Sequence, residues 1–161
     1  MIVIEPARAK SSPIGSALRK RDLNRFLACA AKALGLTGEL SVLLAGDERL
    51  RALNLQFRGH DRPTDVLSFP PLPEVAEPGQ GGDLAISLDT ASRQAADCGH
   101  TLETEVKVLI LHGLLHLAGY DHESDRGQMR RRENLLRKQF ALPAGLVERS
   151  HPQRPERGGK P

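Results

Sequence analysis

The chain has 161 residues, of which 39% are hydrophobic and 27% are charged, and its formal net charge is +3. These values are typical of one globular domain with a sizeable core, and they exclude a disordered or fibrous chain. The first residues, MIVIEPARAK, lack the features of a signal peptide, and the longest apolar run, VLILHGLLHLAG, is too short to span a bilayer. We therefore expect a soluble, cytoplasmic protein with no membrane contact.

Charge is distributed unevenly along the chain. Residues 61–105 contain nine acidic and two basic side chains, whereas residues 126–160 contain ten basic and three acidic side chains. This distribution indicates either a basic face that binds a polyanion or a solvated helix followed by a charged tail. Charge alone does not separate the two interpretations.

The first half of the chain predicts two strands, each followed by a helix. MIVIEP at 1–6 is a strand ended by proline, and residues 16–34 carry apolar side chains at helical spacing. ELSVLLAG at 39–46 also has strand character. Asp47 is expected to cap the helix that follows it.

The middle of the chain predicts two more strands and a helix. PTDVLSFP at 63–70 is a short strand between two prolines, which favours the edge of a sheet. A Pro- and Gly-rich loop at 70–82 leads to the strand GDLAISL at 82–88. We expect a helix at residues 89–98, directly after this strand.

The last part of the chain predicts two helices and a tail. Residues 102–118 are apolar on nearly every side, which predicts a buried central helix, and a last helix is expected at 125–140. The mixture of strands and helices predicts the α+β class. We expect one domain over residues 1–147, followed by a disordered, basic and Pro-rich tail at 148–161.

The two cysteines, Cys29 and Cys98, provide neither a disulfide framework nor a close pair of metal ligands. We interpret both as small buried hydrophobic residues and expect no disulfide-linked partner.

Residues 112–122, HGLLHLAGYDH, contain three of the six histidines of the chain. His112 and His116 are four residues apart, so a helix places both rings on one face and within reach of one ion. Gly119 ends such a helix because glycine adopts the left-handed conformation that turns the chain back, and His122 then supplies a third ligand. Three neutral imidazoles that leave a fourth position open are typical of a catalytic zinc site. Histidines that only make ordinary hydrogen bonds are the alternative interpretation.

The spacing H-x-x-x-H-x-x-G-x-x-H is also that of the metzincin metalloproteases. Those enzymes have a glutamate directly after the first histidine, where it acts as the general base. Gly113 stands at that position here. A protease built in this way lacks its proton acceptor, so the sequence predicts different chemistry on the same metal. Nickel and copper also suit three imidazoles.

Motifs upstream of the histidines carry a family resemblance. They are Leu53-Asn54, Phe57-Arg58, PTDVLSFP at 63–70, GDLAIS at 82–87, Gln94-Ala95, Gly99-His100 and Glu105. Together with HGLLHLAGYDH they occur in the order seen in the YbeY family of metal-dependent endoribonucleases, which the chain resembles from about residue 53 to residue 123. The resemblance implies a metzincin-like fold in which a small mixed β-sheet packs against helices and the metal-bearing helix is central.

The resemblance also implies a function. One zinc ion per chain would be bound by His112, His116 and His122, and Arg58 and His112 would be catalytic. The implied activity is cleavage of single-stranded RNA, in maturation of small-subunit ribosomal RNA and in ribosome quality control, with that RNA and the small subunit as partners. Two alternatives remain, namely a ribosome-assembly factor whose metal is mainly structural and a metallohydrolase of another substrate. The nucleophile is either water or the 2′-hydroxyl of the RNA.

Further residues are candidates for the chemistry around the metal. The guanidinium of Arg58 suits a phosphoryl group that gains negative charge, although a surface salt bridge is the alternative. Asp121 either accepts the second ring N–H of a ligand histidine or belongs to the turn. Asp65 is expected to satisfy backbone or loop groups rather than to take part in chemistry. The candidates for RNA backbone contacts are Arg130, Arg131, Arg132, Arg137 and Lys138.

Overall fold

Four strands form one mixed sheet among residues 1–5, 18–77 and 79–150, which are the residues that the computed structural model describes. The strands are β1 (Ile2–Ile4), β2 (Ser41–Ala45), β3 (Val66–Phe69) and β4 (Asp83–Ser87). Their order in the sheet is β1-β2-β4-β3. β1, β2 and β4 are parallel, and β3 pairs antiparallel with β4. β3 therefore lies at an edge of the sheet, as its flanking prolines predict.

The helices of the described residues follow the predicted order, with one addition. They are α1 (Lys20–Ala33), α2 (Asp47–Arg58), α3 (Leu88–Cys98), α4 (Leu102–Leu117), α5 (Gln128–Gln139) and α6 (Leu146–Ser150). The helix α6 was not predicted, and residues 148–150, which were assigned to the tail, belong to it. The remainder of the predicted tail, 151–161, lies outside the described residues, as do residues 16–17 of the predicted first helix. The α+β class is confirmed.

The sheet is covered on both faces because alternate strand residues point to opposite sides. Val42 and Leu44 of β2 belong to the larger core, together with residues of α1 and α4. Ala45 of β2 and Leu67 of β3 belong to a second core, together with Leu50 of α2. The helix α4 therefore packs on one face of the sheet and α2 on the other.

The helix α4 is the buried centre of the larger core, as predicted. Its residues 108–115 are all buried, and its neighbours include α1, α3, α5 and the strands β3 and β4. Such a helix buries apolar surface on every side. Each Å² of apolar surface removed from water stabilises the folded state by roughly 25 cal/mol. Within the described residues, no helix has both the length and the apolar character that crossing a membrane requires.

Two local predictions are wrong. Cys29 and Cys98 are exposed, not buried. In α1 the buried positions are Leu23, Phe26, Leu27 and Ala30, and the helical repeat places Cys29 outside that stripe.

The predicted capping role of Asp47 is also wrong, because Gly46 is the N-cap and Asp47 is the first helical residue of α2. The Asp47 carboxylate instead accepts hydrogen bonds from the Ser87 hydroxyl at 2.6 Å and the Thr90 hydroxyl at 2.7 Å, and it pairs with Arg93 at 2.8 Å. It therefore joins α2 to the start of α3. Burial by itself raises the pKa of Asp47, but the hydrogen bonds from these donors outweigh it, so the pKa lies below its usual value.

We expect the substitution Asp47→Asn to lower the free energy of unfolding by about 1–3 kcal/mol at neutral pH, since hydrogen bonds to a charged group are lost. Because the folded-state pKa is depressed, this stabilisation is complete above the unfolded-state pKa of about 4 and is lost as the pH falls through the lower folded-state pKa. Urea unfolding at several pH values measures it. A difference between wild type and variant that does not shrink below about pH 4 would contradict the assignment.

Candidate metal centre

The last turns of α4 bring His112 and His116 together. The two residues are one helical turn apart on the same face, and their Nε2 atoms are 3.1 Å apart. His112 is buried and His116 is half-buried. This separation fits one shared ion, because a tetrahedral zinc about 2.05 Å from each nitrogen holds two nitrogens about 3.3 Å apart.

The chain reversal after α4 adds His122. Gly119 has a φ of 96°, and the N–H groups of Gly119 and Tyr120 donate to the carbonyls of His116 and Leu115, both at 3.0 Å. This is a Schellman ending, in which glycine takes the left-handed conformation at little steric cost. The His122 ring centroid consequently lies 5.6 Å from that of His112 and 5.5 Å from that of His116. The structure thus brings the three predicted ligands together, with one ligand atom of each within 4.8 Å of the others.

The surroundings of His116 favour its neutral form. Burial lowers the pKa of His116, and the neighbouring His112 and His122 lower it further. A neutral ring keeps a lone pair for a metal, whereas a protonated ring does not. The donor set of three nitrogens therefore fits a divalent transition metal at neutral pH.

A buried carboxylate that the sequence analysis missed holds one of the ligand rings. The Oε2 atom of Glu133 in α5 lies 3.3 Å from Nδ1 of His112, and Oε1 accepts the Val147 N–H at 3.0 Å. The side chain of Glu133 is only 1% exposed. A carboxylate at Nδ1 orients the ring and leaves Nε2 for the metal. The available signal was that Glu133 stands on the buried stripe of α5 between Met129 and Leu136.

We expect Glu133→Gln to weaken zinc binding about 10–100-fold, because the partner that orients the His112 ring loses its charge. Competition with a chromogenic chelator measures the affinity. The matched control is Glu123→Gln, since Glu123 is an exposed acidic residue directly after His122. Equal zinc affinity of the two folded variants would contradict the role of Glu133.

Gly113, at the position of the protease glutamate, has a packing role. A Cβ atom at Gly113 would lie 2.7 Å from Leu84 Cδ2 and 3.3 Å from Val66 Cγ2. The hydroxyl of Ser68 donates to the Gly113 carbonyl at 3.2 Å. The helix α4 therefore lies directly against β3 and β4, and the edge strand β3 runs beside the helix that carries His112 and His116.

Asp121 is a turn residue, which is one of the two alternatives for this position. Its carboxylate accepts the Glu123 N–H at 3.1 Å and the Ser124 hydroxyl at 2.9 Å. These two hydrogen bonds lower the pKa of Asp121. The carboxylate that orients His112 is Glu133 instead.

Arg58 is the last residue of α2 and is exposed. Within the described part of the chain its guanidinium makes no hydrogen bond or ion pair, so the surface salt bridge that was its alternative is not formed. Its guanidinium offers five N–H donors, but Arg58 is not among the residues that line the cleft beside His112 and His122.

The basic residues of α5 do not form one uniform surface. Arg131 donates to the Arg126 carbonyl at 3.3 Å, and Arg137 donates to Asn134 Oδ1 at 3.3 Å. Arg132 donates to the Ala33 carbonyl at 2.9 Å and thereby ties α5 to the end of α1. Arg132 is therefore no longer a candidate for RNA contact. The remaining candidates are Arg130, Arg131, Arg137 and Lys138, of which Arg131 and Lys138 are exposed.

An open cleft of about 450 Å³ adjoins the histidines. It is lined by His112, His122, Asp65, Gln94, Asp97 and Arg149, among others. Arg149 lies in the segment predicted to be tail, yet its Nη2 and Nη1 atoms pair with the carboxylate of Glu105 at 3.0 and 3.4 Å. Glu105 is completely buried and also contacts His100. The helix α6 therefore forms a wall of the cleft.

Known proteins are similar to this chain in sequence and in fold. Residues 8–141 match the family model described as endoribonuclease YbeY. An endoribonuclease YbeY of Koribacter versatilis is 47% identical over 131 residues, which cover 81% of this chain and 84% of the relative. The Solibacter usitatus protein of that name is 45% identical over 148 residues, covering 86% and 97%. The solution structure of a protein from Thermotoga maritima is 30% identical, covers all of both chains and gives a TM-score of 0.54. The chain therefore belongs to the endoribonuclease YbeY family, as its motifs predicted.

Proposed function

We propose that this chain is a zinc-dependent endoribonuclease that cleaves single-stranded RNA. The observation that carries the proposal is the convergence of three imidazoles, from His112, His116 and His122, beside an open cleft. The relatives are named endoribonucleases, which supports RNA cleavage as the reaction. As a hydrolase of this family the chain acts on RNA phosphodiester bonds.

In the proposed reaction at a phosphodiester, different residues of the chain bind the metal and the phosphate. When bound, zinc supplies Lewis acidity to the reacting phosphate and lowers the pKa of water. His112 holds the metal with its ring fixed by Glu133, which is why it counts as catalytic as well as ligating. Arg58 binds the phosphoryl oxygens through its planar fork of donors and stabilises the charge that develops on them. The absence of a side chain at Gly113 disfavours a protease.

Ribosomal RNA of the small subunit is the proposed substrate, with cleavage in its maturation and in ribosome quality control, in the cytoplasm. The motif resemblance supports this choice. Arg130, Arg131, Arg137 and Lys138 supply charge for the RNA backbone without reading sequence. The chain has four Phe, one Tyr and no Trp, so aromatic stacking on bases is limited. Selection of the cleavage site then depends on the ribosome or on a partner.

The test combines metal content with substrate choice. Purified protein is assayed for bound metal and for cleavage of single-stranded RNA, duplex RNA, casein and nucleotides. We expect one zinc per chain, cleavage of single-stranded RNA, loss of activity with a chelator and recovery with zinc. Restoration by nickel or copper but not by zinc would contradict the metal assignment. Full cellular function of a folded, metal-free variant would favour the assembly factor.

A further inference from the structure

The position of the protease base is occupied by Gly113 in this fold, and its surroundings disfavour a side chain there. A Cβ atom at Gly113 would overlap the side chain of Leu84 at 2.7 Å. Real Cβ atoms do not approach a neighbour so closely, because protein interiors are already close-packed. Any carboxylate that accepts a proton at this centre must therefore come from another element.

Most of the carboxylates around the centre are unsuitable. Glu133 is buried and both of its oxygens are used, by His112 and by Val147. Asp121 is exposed and its two oxygens close the turn. Asp97 lines the cleft but is exposed, and no hydrogen bond within the described residues fixes its carboxylate.

Asp65 differs from these carboxylates in both position and support. It is half-buried, it directly precedes the edge strand β3, and it lines the same cleft as His112 and His122. Its Oδ1 atom accepts the Val66 N–H at 2.8 Å, and its Oδ2 atom accepts the Gln94 amide at 3.3 Å. A carboxylate has about four acceptor sites, so roughly two remain for a substrate proton.

The backbone and the neighbouring charges support the same role. The carbonyl of Asp65 accepts the Ser87 N–H at 2.9 Å, which anchors the start of β3 against β4. Within the cleft, the charged groups from the other walls are Asp97 of α3 and Arg149 of α6, and Arg149 is already paired with Glu105. Asp65 is therefore a carboxylate held by two hydrogen bonds, without an ion pair among the described residues, in the wall of the cleft that His112 and His122 also line.

We propose that Asp65 is the proton acceptor of the nuclease reaction, and this inference rests on the endoribonuclease function proposed above. As the attacking hydroxyl, of water or of ribose, forms its bond to phosphorus, its proton passes to a carboxylate oxygen of Asp65. The bond from phosphorus to the leaving oxygen breaks, and that oxygen takes a proton from solvent. Asp65 then returns its proton to solvent. Gln94 is a positioning residue, because its amide holds the carboxylate in place.

The first test is Asp65→Asn, which keeps the shape and an acceptor for the Val66 N–H but removes the base. We expect kcat for RNA cleavage to fall about 10²–10⁴-fold, as for loss of a general base. KM, bound zinc and affinity for an all-2′-deoxy analogue should stay within about threefold, since Asp65 acts on the proton in the transition state. Asp97→Asn, the same change in the same cleft, should leave kcat within about threefold. A kcat of Asp65→Asn near that of wild type, or loss of zinc from this variant, would overturn the proposal.

A second variant separates chemistry from structure. Asp65→Ala leaves space for a small carboxylate. Added formate should therefore raise the kcat of this variant about tenfold or more over its value without formate. Formate should not raise the activity of wild type or of Asp97→Ala. If formate does not restore activity in the folded Asp65→Ala protein, or if neither Asp65 variant folds, the role of Asp65 is only to stabilise the start of β3 and the proposal is wrong. If wild type itself does not cleave RNA, the proposed function fails instead.

Discussion

Replacing His116 by alanine is expected to remove the bound zinc and to lower RNA cleavage about 10³-fold or more. Two imidazoles remain in this variant, and they do not hold a metal that needs three protein ligands. Lewis-acid stabilisation of the transition state is worth several kcal/mol, and each loss of about 1.4 kcal/mol is a tenfold loss of rate. The metal content of the purified protein and single-turnover cleavage measure the two effects.

The fold should survive the His116→Ala substitution. The residue is half-buried in the last turn of α4, and alanine is the best helix former. The matched control is His60→Ala, because His60 is an exposed histidine outside the trio. We expect this control to keep zinc and activity. A His116→Ala protein that retains one zinc per chain and cleaves RNA at the wild-type rate would refute the metal centre.

The substitution Arg58→Ala should lower kcat about 10²–10³-fold while leaving zinc content unchanged. Removal of one donor that stabilises a developing oxyanion has an effect of this size. Arg58 is exposed at the end of α2 and makes no hydrogen bond or ion pair within the described residues, so the loss of its side chain leaves no other group unpaired. Stability should consequently change by less than about 0.5 kcal/mol. Arg58→Lys should recover little activity, because an ammonium lacks the planar fork of a guanidinium.

Arg51→Ala is the matched control for Arg58. Both residues lie on α2, but the guanidinium of Arg51 is already engaged by Asp61, with N–O distances of 2.6 and 3.1 Å. We expect Arg51→Ala to keep kcat within about threefold, since its charge is neutralised within the chain. Equal losses of activity in the two variants would mean that α2 contributes only general positive charge.

The metal trio could be predicted because its residues are close in sequence. Helical geometry places His112 and His116 on one face whatever surrounds the helix, and Gly119 reverses the chain so that His122 follows. The edge position of β3 is similarly local, since flanking prolines limit pairing to one side. The YbeY resemblance rests on the same short stretches, and the family model confirms it.

The support of the trio depends on contacts between distant residues. Glu133 reaches His112 from 21 residues away, and Arg149 pairs with Glu105 from 44 residues away. The role of Gly113 depends on Leu84, which belongs to a strand packed against the helix. No local pattern specifies such pairs, because they arise only when α5, α6 and β4 pack on α4.

The sequence by itself therefore determined the cluster of three histidines, the order of the elements before α6 and the family, since each is encoded in spacing along the chain. Tertiary structure alone decided that Glu133 orients the ligand ring, that Asp47 joins two helices, and that Asp65 opens onto the cleft. The physical reason is that a side chain's partners are set by which surfaces pack together, and packing is a property of the whole core.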